Sequence, residues 1–154
     1  MGESQRLFSD KPDYEEDLYA WALENATLLR AGRLSEIDAQ HIAEELEDMG
    51  KSERRALRSH LHTLLLHLLK WQFQPTHRGV SWKLSIRNAR HRIGIILKDS
   101  PSLRPKTQGL IIEEYPTARL DAIDETGLPE VSFPDTCPYV VDQVIDQAFL
   151  PIAT

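Results

Sequence analysis

Apolar residues recur along most of the chain at intervals of three and four, which is the period of amphipathic α-helices. Capping residues, glycines and prolines mark the ends of several of these segments. No stretch has the apolar–polar alternation of a strand, so the pattern predicts an all-α fold. The five predicted helices are Asp13–Ala31, Ser35–Met49, Ser52–Gln74, Val80–Lys98 and Ser102–Thr126.

Local signals refine these boundaries. Asp13 and Ser35 are predicted N-terminal caps, because their side-chain oxygens can accept from the first free amides of a helix. Gly50 is predicted to end the second helix or to allow a sharp turn there. Pro116 lies inside the fifth helix and lacks an amide proton, so we expect a kink or a break at that point.

The third helix, Ser52–Gln74, has the widest apolar surface, which covers well over a third of its circumference. A helix that is apolar on several sides is contacted on several sides. We therefore expect it to be the most buried element, with nearly inaccessible side chains at Leu61, Leu64, Leu65 and Leu68.

The last 27 residues contain four prolines and should run as a loop with one short helix near Pro138. The predicted fold is thus a helical bundle of about five main helices with a proline-rich C-terminal wrap. We expect residues 1–12 to be a flexible N-terminal segment and residues 13–154 to be a single helical-bundle domain, since 154 residues suit one domain.

Composition indicates the cellular compartment of the protein and whether it enters a membrane. The chain is 41% apolar and 27% charged, and neither a signal peptide nor a run of about 18 apolar residues is recognised. Cys137 is the only cysteine, so nothing in the sequence implies an oxidising compartment. We predict a cytoplasmic protein that does not enter a membrane.

Charge is unevenly distributed along the chain. Residues 1–50 carry a balance of −9, residues 51–98 carry +10, and residues 99–154 carry −7. Either the acidic helices pack around the basic ones and the charges cancel, or the basic middle binds an anionic partner such as nucleic acid. We favour the first interpretation, because the acidic flanks should repel a phosphate backbone, and we do not expect nucleic-acid binding.

Several runs of the sequence resemble the bacterial family known as domain of unknown function 29. They include "LLLHLLKWQFQP", "SWKLSIRNARHRI" and "DSPSLRP", and the similarity extends over roughly residues 13–151. The resemblance implies a helical bundle of bacterial origin and brings no known activity. The family pattern stresses a Glu-Glu pair, a His-Leu-Leu-Lys-Trp run and a Ser-Trp pair, which are here Glu44-Glu45, His67–Trp71 and Ser81-Trp82.

One polar cluster is the candidate site. Arg90 borders the apolar face of its helix, and a covered guanidinium needs acceptors. An antiparallel arrangement of the second, third and fourth helices predicts a carboxylate partner for Arg90 from the second helix. Such a cluster has a structural role or binds a ligand or substrate. Its members are Glu44, Glu45, His67, Lys70 and Arg90.

Three functions remain open. The leading hypothesis is a non-catalytic protein-interaction or regulatory module that binds an unknown protein partner or forms a homo-oligomer, since no catalytic motif is recognised. The second is a ligand-binding protein or enzyme that uses the polar cluster, and the third is nucleic-acid binding through residues 51–98. We predict neither a metal site nor a cofactor.

Overall fold

The computed structural model describes residues 11–154, so most of the predicted flexible segment 1–12 lies outside the described residues. Within the described range the secondary structure is helical without strands, which confirms the all-α prediction. Five α-helices are present in this range: α1 (Leu18–Arg30), α2 (Ala39–Phe73), α3 (Val80–Asp99), α4 (Thr107–Thr126) and α5 (Val141–Ile145). Short 3-10 helices occupy Pro75–His77, Pro101–Lys106 and Glu130–Ser132.

The second and third predicted helices are one helix, α2, of 35 residues. Gly50 keeps helical geometry inside it, whereas Gly32 and Gly127 adopt φ values of 69° and 70° and end α1 and α4. A glycine costs a helix about 1 kcal/mol relative to alanine, which the good helix formers around Gly50 can offset. The boundary predicted at Gly50 is therefore wrong.

The two predicted N-terminal caps also differ from those in the structure. Asp17, rather than Asp13, caps α1 by accepting from the amide of Ala20 at 3.0 Å. Asp13 instead accepts from the amide of Glu15 in the preceding turn. Similarly, α2 begins after Asp38 and not after Ser35. The sequence contains several Asp and Ser residues before each helix, and tertiary contacts decide which of them becomes the cap.

Pro116 lies within α4, which continues without a break from Thr107 to Thr126. The loss of one helical hydrogen bond is offset by the contacts of this helix, whose Leu110, Ile111, Tyr115 and Ala118 are all buried. The short C-terminal helix predicted near Pro138 is α5.

The chain divides into two compact units, with the boundary between Gly50 and Lys51. We describe each unit separately and call residues 11–50 the N-terminal unit and residues 51–154 the C-terminal unit. A single domain over residues 13–154 stays a prediction.

The core of the C-terminal unit lies along its part of α2. Leu61, Leu64, Leu65 and Leu68 have no exposed surface, which confirms the predicted burial of this segment. Residues from α3, α4 and the C-terminal segment complete the core, among them Ile93, Ile111, Phe133 and Val144.

The N-terminal unit has a much smaller core. Among its described hydrophobic residues only Trp21 and Leu28 are buried, and the polar Asn25 lies between them. Leu18, Leu29, Leu46 and Met49 are between 43% and 65% exposed. Polar contacts therefore contribute much of the stability of this unit.

Candidate functional site

The polar contacts of the N-terminal unit converge on Asp38, the residue before α2. Its Oδ2 accepts from Trp21 Nε1 at 3.0 Å and lies 2.6 Å from His41 Nδ1. Its own amide donates to Asn25 Oδ1 at 2.8 Å. Asp38 thus links α1 to the first turn of α2.

Asn25 is 7% exposed, and both ends of its amide are hydrogen-bonded. In addition to accepting from the Asp38 amide, it donates through Nδ2 to the carbonyl of Trp21 at 2.9 Å. These two hydrogen bonds matter because a buried polar group without partners is costly.

Tyr14 covers the other side of His41. The two rings are stacked with centroids 4.1 Å apart and planes 13° apart. The Tyr14 hydroxyl donates to Glu45 Oε1 at 2.5 Å. This hydrogen bond, followed by burial and the charge of Glu45, raises the pKa of Tyr14 to about 12.

The Asp38–His41 pair favours its charged form. The hydrogen bond from His41 lowers the pKa of Asp38, and the same bond raises the pKa of His41. The two side chains are 35% and 32% exposed, so water screens the pair. This geometry orients His41 and favours its protonated form. The stack of Tyr14 on His41 and the hydrogen bonds of Asp38 connect Tyr14, α1 and α2.

An apolar groove lies beside this network, between α1 and the first part of α2. It has a volume of about 160 Å³. Its walls are mostly aliphatic, with the Asn25 amide and the Glu45 carboxylate as polar members. The groove is lined by Trp21, Ala22, Asn25, Ala26, Leu29, Ile42, Glu45 and Leu46.

Arg90, in the C-terminal unit, is 2% exposed and does receive acceptors, as its position predicts. Nε donates to the carbonyl of Val144 at 2.8 Å, and Nη2 donates to the carbonyl of Gln143 at 3.2 Å. We predicted Glu44 or Glu45 as the acceptor, and this detail is wrong, because both acceptors are backbone carbonyls. A helix as short as α5 leaves carbonyls without helical partners, and Arg90 binds two of them.

His67 and Lys70 have partners of their own in the C-terminal unit. His67 Nδ1 lies 2.7 Å from the carbonyl of Thr63, and burial lowers its pKa. Lys70 Nζ binds Glu125 Oε2 at 3.1 Å and lies 5.1 Å from the centre of the Trp82 ring.

Glu44 and Glu45 belong to the N-terminal unit, where Glu44 is exposed and Glu45 accepts from Tyr14. The structure thus gives four of the five predicted residues separate partners. A shared functional role for the five stays a prediction.

The charges of the C-terminal unit are paired in order along α2 and α4. Arg58 binds Glu114, with Nε at 2.7 Å from Oε1, and His62 Nε2 lies 2.7 Å from Asp121 Oδ2. Arg54 with Glu113 and Lys70 with Glu125 extend the series, which we call the α2–α4 ladder. Within this unit acidic and basic segments do pack together, as the favoured interpretation of the charge pattern predicts.

The sequence did not lead us to predict the network of Tyr14, Trp21, Asp38 and His41. Asp38 directly precedes a helical segment and His41 follows three residues later, which is the spacing of an N-terminal capping pair. That signal was present, but Ser35 offered a competing cap. The aromatic partners could not be found, because their contacts depend on how α1 packs.

None of the helices described, over residues 11–154, has the length and apolar character needed to cross a membrane. The fold defines a small all-α protein whose described N-terminal unit carries an open apolar groove. The chain matches the family described as Domain of unknown function DUF29 over residues 14–150, and it belongs to that family. Searches of curated proteins and of solved structures gave no significant match.

Proposed function

We propose that this protein is a non-catalytic interaction module whose N-terminal groove binds an amphipathic helix of a partner protein. The observation that carries the proposal is the apolar groove between α1 and α2, whose lining residues Leu29 and Leu46 are exposed. Leu18 on α1 and Met49 on α2 are exposed as well. Clustered exposed apolar residues beside a groove are typical of protein-binding surfaces.

The small core of the N-terminal unit supports the same proposal. A unit that buries little apolar surface gains stability when further apolar surface is covered by association. Here Trp21 and Leu28 are the only buried hydrophobic residues among those described in residues 11–50. A helix placed over Ala22 and Ala26 adds apolar contacts at positions where small side chains permit a close approach.

Charge indicates the chemistry of the partner helix. Residues 11–50 contain three Lys or Arg and eleven Asp or Glu, a balance of −8. We therefore propose a partner segment with leucine-like residues on one face and Lys or Arg beside them, since complementary charge speeds and orients association. A second copy of the chain is one protein that could supply it, and we include a cytoplasmic location in the proposal.

Site-specific photo-crosslinking tests the groove. A photoreactive residue is placed in the full chain at Ala26, which lines the groove, and separately at Thr27, which is exposed on the opposite side of α1. We expect a discrete crosslinked partner from Ala26 and not from Thr27. The partner is identified by mass spectrometry, purified and titrated against the wild-type chain.

Binding of that purified partner should be at least about ten-fold weaker to Ala26→Arg than to Thr27→Arg, a difference of ~1.4 kcal/mol. The arginine at position 26 places a long charged side chain in an apolar groove, whereas the same residue at position 27 stays in solvent. Equal binding by the two variants, or equal crosslinking from the two positions, contradicts the proposal.

A further inference from the structure

A second cavity lies in the C-terminal unit, where the chain turns from α2 into α3. It has a volume of about 280 Å³. We call it the turn pocket, and it is lined by Trp71, Arg78, Gly79, Val80 and Lys83. Two of these five residues are cationic and none is acidic.

Both cations lie against the Trp71 ring. The Arg78 guanidinium carbon is 4.8 Å from the ring centre, and Arg78 Nε donates to the Trp71 carbonyl at 2.7 Å. Lys83 Nζ is 5.6 Å from the same ring centre. Such contacts hold cations in place without neutralising their charge.

No carboxylate in residues 11–154 forms an ion pair with Arg78 or Lys83. Lys70, one residue before Trp71, differs because Glu125 binds it at 3.1 Å. The pocket therefore holds two positive charges that the described part of the chain does not compensate.

Arg78 also has an unsatisfied donor. Its Nη2 is buried and finds no acceptor among the described residues. A buried donor without an acceptor, especially on a charged group, is costly. Arg78 lines the turn pocket, so a negative group bound there provides the counter-charge that no described carboxylate provides.

The first turn of α3 adds to the positive potential. The helix begins at Val80, and the preceding N-cap residue, Gly79, has no side chain that could cap it. The first amides of a 20-residue helix point toward this end, where the helix dipole favours an anion.

We propose that the turn pocket binds an oxyanion, specifically the phosphate group of a small phosphorylated ligand. Two cations and a helix N-terminus suit a group with two negative charges better than a singly charged carboxylate. Arginine in particular matches the geometry of phosphate oxygens. This inference is independent of the groove in the N-terminal unit.

A titration of the ¹⁵N-labelled full chain with inorganic phosphate tests the pocket, with chloride and acetate at matched ionic strength as references. We expect saturable shifts of the Gly79, Val80 and Ser81 amides with phosphate, and smaller or non-saturable shifts with acetate and chloride. The same spectra show whether each variant is folded.

Lys83→Met should weaken phosphate binding about ten-fold or more, because charge-assisted hydrogen bonds to phosphate are strong. Arg87→Met is the matched control, since it removes one charge from an exposed position one turn further along α3. It should leave the affinity within about two-fold, as an exposed charge outside the pocket is screened. Arg78→Met should behave like Lys83→Met if it remains folded.

A short single-stranded oligonucleotide without terminal phosphates distinguishes two sources of the phosphate. They are the phosphodiester backbone of a nucleic acid and the phosphate group of a small ligand. We expect it to bind more weakly than inorganic phosphate and to shift the pocket amides little. The proposal is overturned if phosphate gives no saturable shifts at Gly79 and Val80, or if Arg87→Met and Lys83→Met weaken binding equally. Tighter oligonucleotide binding that depends on Arg87 also overturns it, because the exposed face of α3 is then the anion site.

Discussion

Both parts of α2 carry an apolar stripe, but the two stripes lie in opposite environments. In the C-terminal unit, Leu61, Leu64 and Leu68 have no exposed surface. In the N-terminal unit, Leu46 and Met49 of the same helix are 62% and 65% exposed. An apolar stripe thus predicts a face that can be buried, and the remainder of the chain decides whether it is.

The two units are also stabilised by different interactions. The C-terminal unit combines an extensive core with paired charges, whereas the N-terminal unit depends on hydrogen bonds around Asp38. A polar network fixes geometry but contributes less to stability than apolar burial. The unit with the smaller core is also the one with the open groove, which is the basis of the proposed function.

The largest expected effect compares one leucine from each part of α2. Leu64→Ala should lower the free energy of unfolding by about 2–5 kcal/mol, because it leaves a cavity in a closed core. Leu46→Ala should change it by no more than about 0.5 kcal/mol, as for other exposed positions. Urea unfolding followed by circular dichroism measures both. A Leu46→Ala cost as large as that of Leu64→Ala would show that the groove is covered in the isolated protein.

An intermediate effect is expected at Asp38. Asp38→Ala removes the cap of α2 and the acceptor of Trp21 Nε1, and losing a cap costs about 0.5–2 kcal/mol. The change should be local, so amide hydrogen exchange should accelerate in α1 and the first turns of α2. Asp48→Ala is the control, because Asp48 is exposed on α2 and its side chain makes no hydrogen bond in the described residues. Equal acceleration in both variants would contradict a central role for Asp38.

The smallest expected effect is on the pH dependence of stability. It compares one histidine from each unit. The pKa of His41 is raised by Asp38, so its stabilising contribution is complete below about pH 6.5 and is lost as pH rises through the raised value. The pKa of His67 is lowered by burial, so its neutral form is favoured and stability falls as pH drops below about 6.5 through the lowered value.

Titration of both imidazoles by NMR checks these directions. His41 should titrate above the ordinary histidine pKa and His67 below it. Asp38→Asn should lower the pKa of His41 while leaving that of His67 unchanged. If the two histidines titrate together near pH 6.5, neither environment has the described effect.

Helical periodicity was sufficient to predict the fold class and the burial of Leu61, Leu64, Leu65 and Leu68. Element boundaries were less predictable, because Gly50 tolerates both a turn and a helix and because several residues could cap each start. The acceptors of Arg90 were not predictable, since carbonyls from α5 leave no distinctive side-chain pattern. The Tyr14–His41 stack was hidden for a similar reason, as it joins residues 27 positions apart in the sequence.

The α2–α4 ladder has a consequence for the order of folding. Its partners increase together along the two helices, from Arg54 with Glu113 to Lys70 with Glu125, so α2 and α4 run in parallel. Its hydrogen bonds connect residues separated by 55 to 59 positions. Contacts between such distant residues cost the loop-closure entropy of the chain between them, which slows their formation. During synthesis, the cations and leucines of α2 therefore remain without these partners until α4 has been made, and α4 docking completes the core.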